Sequence, residues 1–378
     1  MNAPLDGITV LEMGSSLAGP YGARLLADFG ARVIKVEAPG GGDAARSWGT
    51  DKLGGTSATY QALNFGKRSI VVDFKNEDEV AVLKRFIAVE ADVVLQNLRP
   101  GIADSLGLGP DDIRRMNSRI IYCNVSAFGR TGPYAQMPGY DPLIQAFGGI
   151  VDLTGPADGD PARVGVPIID LGTGLWAALG VMAALHTRAR TGEGTIVDAA
   201  MADTAMAWQT VSQATIEAGG AQPRRSGLTG PLLVPNTGYQ TSDGFLIVTV
   251  GTDRQFEKLC QVIGHSDIYK NPRFETNAQR MEHADELRSV LEEIFRTNTR
   301  DHWSALLNSV DVPNAPIQSA TEVLQHEQTK ASGIIKAAPD GSFGLVANAV
   351  KFDGRRPGFE SFAPELGEAT EDVLDKYR

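Results

Sequence analysis

Two different periods of apolar and polar positions alternate along the first two hundred residues. ITVLEM (8–13), RVIKVE (32–37), SIVVDF (69–74), DVVLQ (92–96) and RIIYCNVS (119–126) are apolar runs of strand length. Between them the spacing turns helical. SSLAGPYGARLLADFG (15–30) sets Leu17, Tyr21, Leu25 and Phe29 four residues apart, and VAVLKRFIAVE (80–90) is amphipathic. Strands alternating with helices predict βαβ units and a parallel sheet, whose ligands bind at the carboxyl ends of the strands. After about residue 220 the pattern changes. NTGYQTSDGFLIVTV (236–250) reads as a hairpin about its Asp-Gly. DELRSVLEEIF (285–295) places Leu287, Val290, Leu291 and Ile294 on one helical face. The expected organisation is a large α/β domain over 1–220, a small α+β domain over 221–330, and a segment 331–378 that returns to the first.

Composition narrows the class of protein. The chain has 378 residues, 42% hydrophobic and 21% charged, and a net charge of −11 that argues against a nucleic-acid surface. MNAPLDG has neither a basic start nor an apolar run, and Leu175–Leu185 is short for a membrane span and interrupted by Gly180. A cytoplasmic protein is expected, with no membrane or nucleic-acid partner. Cys123 and Cys260 show no ligand spacing and read as reduced thiols, and the five histidines form no metal-binding pattern.

Several catalytic signatures fail. In MGSSLAGPYG the glycines at 14, 19 and 22 do not make G-x-G-x-x-G, although Glu37 ends the second strand where a ribose-binding acid would lie. A nucleotide-dependent oxidoreductase is therefore a remote reading. GKRS (66–69) is not a P-loop, and its Lys67 and Arg68 read as a solvated strand entrance. No G-x-S-x-G occurs. A carboxylate is then the natural nucleophile. GVPIIDLGTGLWAALGVMAAL (165–185) contains one acid, Asp170, among apolar and small residues. An Asp entering a helix is also a routine N-cap, the commoner reading, and Asp141 in GYDPLIQAFGG reads as another. Asp43 and Arg46 fall in the glycine-rich GGGDAARSWG.

Longer motifs carry more. PLDGITVLEMGSSLAGPYGARLLADFGARVIKVEAPGGGD, NFGKRSIVVDFK, LQNLRPG, IIYCNVSAFGRTGP and GTIVDAAM follow in order nearly end to end. With them the chain resembles the class III CoA-transferases, the CaiB/BaiF family of formyl-CoA transferase, the carnitine and bile-acid CoA-transferases and α-methylacyl-CoA racemase. The resemblance implies a Rossmann-like large domain with a smaller α+β domain, in an interlocked homodimer. It also implies acyl-CoA as substrate, no tightly bound cofactor or metal, and Asp170 as the nucleophile that carries an aspartyl-CoA thioester. Its CoA contacts fall on Leu17 and Ala18, on Val72, Asp73, Phe74 and Lys75, and on Asn97, Leu98 and Arg99. Positions that can be basic in the family are Ala38, Ser105 and Ser126 here, which leaves the CoA phosphates to Arg99, Lys75 or Arg46.

For the acid substrate, Arg46 can meet a distal carboxylate in a two-pronged pair and reads equally well as a loop or CoA-phosphate residue, Tyr140 is a further candidate contact, and the backbone N–H groups of glycine-rich loops, for example Gly148 and Gly149, are candidate oxyanion donors. The racemase branch has a histidine where Tyr140 stands, and Asp253 lies near its second acid. Transferase is therefore the reading and α-methylacyl-CoA epimerisation the alternative, with a non-catalytic acyl-CoA-binding protein more remote. GRTGP, GYD and SWG look most like members acting on dicarboxylates such as succinate or glutarate derivatives, with succinyl-CoA a natural donor. RSGLTGPLLVPN has only scattered glycines, so oxalate is less expected.

Overall fold

The computed structural model describes residues 3–357 and 361–378, which form two compact units. The larger comprises 1–151, 163–222 and 328–378, the smaller 152–162 and 223–327.

Six parallel strands build the larger unit: β1 (Thr9–Met13), β2 (Arg32–Glu37), β3 (Arg68–Val71), β4 (Val93–Gln96), β5 (Ile121–Ser126) and β6 (Ile196–Ala200). Their order is β3-β2-β1-β4-β5-β6, the doubly wound order of dinucleotide-binding sheets. Successive residues of a strand face opposite sides, so each apolar run serves two cores. Leu11, Ile34, Val36, Ile70, Val94 and Tyr122 pack with the helix Glu77–Glu90. Val10, Val33, Val93, Leu95, Ile121 and Cys123 pack on the other side, under α1 (Ala18–Asp28) and α3 (Ile168–Thr191). The chain after residue 328 returns to this unit. Asn348 bonds Asp28, Ala369 N–H donates to Ser69 O, and Thr370 Oγ1 accepts from Val71 N–H.

Between β5 and α3 lies the short α2 (Asp141–Phe147), and after β6 comes α4 (Met201–Trp208). At 24 residues, with a mean hydropathy of 1.7 over its most apolar 18, α3 is long and apolar enough to cross a membrane, which Leu175–Leu185 alone is not. Its place is nonetheless the crossover between two adjacent parallel strands, β5 and β6. Glycines let it approach its neighbours. A Cβ on Gly174 would stand 2.6 Å from Ala18 O and 2.9 Å from Gly22 N, and one on Gly180 would meet Val197 at 2.6 Å.

The smaller unit has an antiparallel sheet of β7 (Asn236–Gln240), β8 (Phe245–Thr249) and β9 (Asn314–Pro316), in the order β9-β8-β7. Asp243–Gly244 turns the hairpin, with Thr241 N–H donating to Gly244 O. Leu287, Leu291 and Phe295 bury the inner face of the helix Ala284–Phe295 against Tyr239, Phe256 and Trp303, while Val290 stays at its outer edge.

Candidate active site

In a doubly wound sheet the connections part where the chain first leaves β1, and ligands bind in the crevice this opens. Here the parting lies between β1 and β4. Asn97, just past β4, closes it: its Oδ1 accepts from Ser15 N–H and its Nδ2 donates to Ser15 O, both at 2.9 Å. A Cβ on Gly14 would collide with Asn97 at 2.9 Å, so this turn must be glycine there. Leu17 and Ala18 thus lie beside Asn97, Leu98 and Arg99. Val72, Asp73, Phe74 and Lys75 stand at the same edge of the sheet, beyond β3, two strands from β1. Lys75 is exposed there.

The first loop is braced from below by charges that sequence patterns hide. Lys67 is not a solvated strand entrance. Its Nζ is fully buried and donates to Glu12 Oε2 at 2.7 Å, Pro20 O at 2.8 Å and Asn64 Oδ1 at 2.9 Å. Lys35 donates to Glu12 Oε1 and Gly14 O and pairs with Asp43 Oδ2 at 2.9 Å. Asp43 Oδ1 in turn accepts from Ser16 N–H, whose residue holds a left-handed φ of 72°. Two lysines and two acids neutralise each other, which is what permits their burial. Burial, opposed by Glu12, brings the Lys67 ammonium down to about 8. Arg68 does reach solvent and pairs with Asp372.

Arg46 and Glu37 are each other's partners. Arg46 donates to Glu37 Oε2 through Nε at 2.8 Å and to Oε1 through Nη2 at 2.6 Å, and its guanidinium lies 4.0 Å from the centre of the Tyr60 ring. The two-pronged carboxylate contact open to Arg46 is therefore filled by the protein's own Glu37. Burial alone would raise Glu37, but Arg46, Ser69 and the Asp43 N–H bring it to about 2. It is a structural anion, with no oxygen left over for a ribose.

Asp170 is the third residue of α3 and does not cap it. Pro167 stands at the cap position, and the capping oxygen comes from α2. Asp141 Oδ2 accepts from the N–H groups of Ile169 at 2.8 Å and Asp170 at 3.1 Å, while its Oδ1 accepts from Gln145 Nε2 at 2.6 Å. Asp141 is itself the first residue of α2, so it caps the neighbouring helix and not its own. Because those amides are taken from outside, they are not available to the Asp170 carboxylate, and it has no hydrogen bond or ion pair among the described residues. It is 9% exposed, beside an apolar cluster of Ile144, Ile169, Met201 and Ala205 with Ala127 and Phe128 against it. Burial, with the charge of Asp141 added, pushes its carboxyl up to about 7.

Position follows from topology. As α3 leads down into β6, its first turn lies at the carboxyl edge, and Asp170 sits one turn before the Gly174 crossing with Ala18. Residues i and i+4 share a helix face, so Asp170 shares with Gly174 the face of α3 turned to α1.

Gly148 and Gly149 do not offer oxyanion donors. Their N–H groups donate to Ile144 O at 2.8 Å and Ala146 O at 3.3 Å, finishing α2, and Gln209 Nε2 donates to Gly148 O. Tyr140 is exposed at the start of α2. Asp253, the acid near the racemase position, pairs with Arg280 at 2.7 Å. At the carboxyl ends of β4 and β5 lies a pocket of about 190 Å³, lined by Leu98 and Arg99 and by Asn124, Ser126 and Arg130 among others. Sequence reasoning passed over Lys35 and Arg130, and it named Asp141 and Lys67 without their distant partners. No cluster of metal-binding side chains occurs among the described residues.

A doubly wound sheet with a sheltered, unbonded carboxylate near the carboxyl ends of its strands is the architecture of a ligand-binding α/β enzyme. The family model of CoA-transferase family III matches residues 5–370, and this chain belongs to that family. It is 37% identical to succinate–glutarate CoA-transferase of Agrobacterium fabrum, over 98% of this chain and 95% of that one. It is 33% identical to human succinyl-CoA:glutarate CoA-transferase (98% and 85%) and 36% identical to acetyl-CoA:oxalate CoA-transferase of Acetobacter aceti (97% and 93%). Among solved structures, a CaiB/BaiF family protein from Brucella suis superposes with a TM-score of 0.90 at 36% identity, covering all of both chains.

Proposed function

We propose that this enzyme moves CoA from an acyl-CoA donor, such as succinyl-CoA, to a dicarboxylic acid, with Asp170 as the covalent carrier. The observation that carries the reading is the buried Asp170 carboxylate left without a partner because Asp141 caps its helix. The dicarboxylate CoA-transferases among its relatives support the substrate class.

An Asp170 oxygen attacks the thioester carbonyl, expelling CoA thiolate and leaving a mixed anhydride. The thiolate then attacks the Asp170 carbonyl, releasing the donor acid as its carboxylate and leaving aspartyl-CoA. The acceptor carboxylate attacks that thioester to form a second anhydride and free the thiolate again. Attack of the thiolate on the acceptor carbonyl yields the new acyl-CoA and restores the Asp170 anion. Every step exchanges one activated acyl group for another, so no external energy source enters. Water would hydrolyse anhydride and thioester alike, and the apolar cluster about Ile169 and Phe128 helps to exclude it.

The larger unit is the proposed CoA-binding domain. We also assign the enzyme a homodimeric state, the resemblance implying an interlocked one. Leu175, Trp176 and Leu179 of α3 and Val211 beyond α4 are exposed in the single chain, an uncovered apolar surface of the kind that marks an interface. A panel of dicarboxylic acids incubated with succinyl-CoA, read by acyl exchange, tests the activity. We expect exchange in the parent and at least a ~10³-fold loss in Asp170→Ala, with CoA affinity within about tenfold, or ~1.4 kcal/mol. Full turnover in that variant would end the covalent scheme.

A further inference from the structure

We infer that Lys67 is a positioning residue for acyl-CoA: as an ammonium it fastens the loop 14–20, and loss of its proton loosens that loop and weakens ligand binding. The inference rests on the CoA reading above, in which this loop carries the contacts Leu17 and Ala18.

The loop leads from the end of β1 into the first turn of α1, with Ser16 at a left-handed φ of 72°. A conformation so costly for a residue with a side chain persists only where its surroundings fix it. Besides Asn97 on Ser15, three side chains hold the backbone here. Lys35 donates to Gly14 O at 2.7 Å, Asp43 accepts from Ser16 N–H at 3.1 Å, and Lys67 donates to Pro20 O at 2.8 Å. These three meet in one buried cluster about Glu12. The charges facing Lys67 are Glu12 of β1, Lys35 of β2 and Asp43 of the loop after β2. From α1, Arg24 and Asp28 pair with each other, and the helix Ala58–Asn64 presents the neutral Asn64.

An ammonium has three N–H donors and no acceptor, and Lys67 meets three oxygens, those of Glu12, Pro20 and Asn64. The neutral amine has two N–H groups and a lone pair. The carboxylate keeps the stronger, charge-assisted bond, so Pro20 O and Asn64 Oδ1 are left to share one N–H. The cluster also passes from neutrality to a buried negative charge, which is costly. Burial brings the ammonium down to about 8, close enough to neutral pH for both forms to occur.

The test is calorimetry of acetyl-CoA binding at several pH values between about 7 and 9, using full-length Asp170→Ala, which removes both the reaction and the titration of Asp170. Above neutral pH the ligand's phosphate ionisations are nearly complete. Affinity should fall ~tenfold across this range, with about half a proton taken up per ligand near pH 8, read from the heats in buffers of different ionisation enthalpy. The unfolded lysine holds its proton more tightly than the folded Lys67, so deprotonation does not weaken the fold, and lost affinity reports the loop. In the same background Lys67→Arg, which stays charged, should make affinity flat with pH. Asn64→Leu takes an acceptor from the ammonium and should move the fall to lower pH. Affinity independent of pH before these changes, or a fall unmoved by both, would overturn the assignment and leave the CoA reading intact. Failure to bind acetyl-CoA at any pH would remove the CoA reading itself and this assignment with it.

Discussion

Asp170, the carboxylate proposed to react, is set up by a second carboxylate, Asp141, to which the proposed scheme gives no chemistry. Asp141 satisfies the amides at the start of α3, adds a like charge beside Asp170, and remains bonded on both of its own oxygens. Attack requires the Asp170 anion, and its carboxyl is pushed up to about 7, so kcat/KM should rise with pH along a limb centred near 7. Burial is the larger cause and the Asp141 charge the smaller. In Asp141→Asn the limb should therefore move to lower pH, yet stay above the ordinary aspartate range near 3.9. A pH–rate profile of the variant checks this. An unmoved limb would mean that the charge of Asp141 does not reach the nucleophile. At this scale the sequence was half legible. A lone acid in an apolar helix entrance marked Asp170, but capping was the commoner reading. Only the fold shows that the cap comes from a residue 29 positions away. Arg46 and Lys67 failed in the same way, because their partners Glu37 and Glu12 lie 9 and 55 residues off.

Strands and helices were more legible, since alternation and helical spacing are local. RVIKVE is β2 residue for residue, and the helix expected over 80–90 extends back to Glu77 behind its Asn76 cap. SIVVDF was too long: the strand ends at Val71, and Val72 N–H makes the last bond, to Glu37 O. Gly148 and Gly149 looked like a free loop, but their amides close the end of a helix, which composition does not reveal. The glycines of α3 matter more than their helix propensity suggests. Replacing Gly174 by Ala gains up to about 1 kcal/mol of propensity. The new Cβ would meet backbone of α1 at 2.6 and 2.9 Å, and such overpacking costs about 1–3 kcal/mol. Backbone cannot swing aside as a side chain can, so the clash should win. We expect Gly174→Ala to lower the urea midpoint and to weaken turnover through displacement of Ala18. A midpoint equal to or above the parent would show that the crossing is looser than described.

For the whole molecule, the order of elements and the parallel sheet followed from the alternation of patterns, and the family followed from motifs spread over nearly the entire chain. What single-chain patterns leave out is the covering of apolar surface. Leu179 is 53% and Val211 72% exposed, on and just beyond the helices that carry and flank the site. Sedimentation of the parent should give a dimer, and charged substitutions at Leu179 and Val211 should weaken it; a monomeric parent would contradict the assignment. The central claim is covalent. The most direct measurement is mass spectrometry of the proteolysed enzyme after mixing with succinyl-CoA and rapid acid quenching. The account predicts a CoA adduct on the peptide bearing Asp170, removed by added acceptor acid and absent from Asp170→Ala. Sustained acyl exchange with no adduct on that peptide, or with the adduct on another residue, would contradict it.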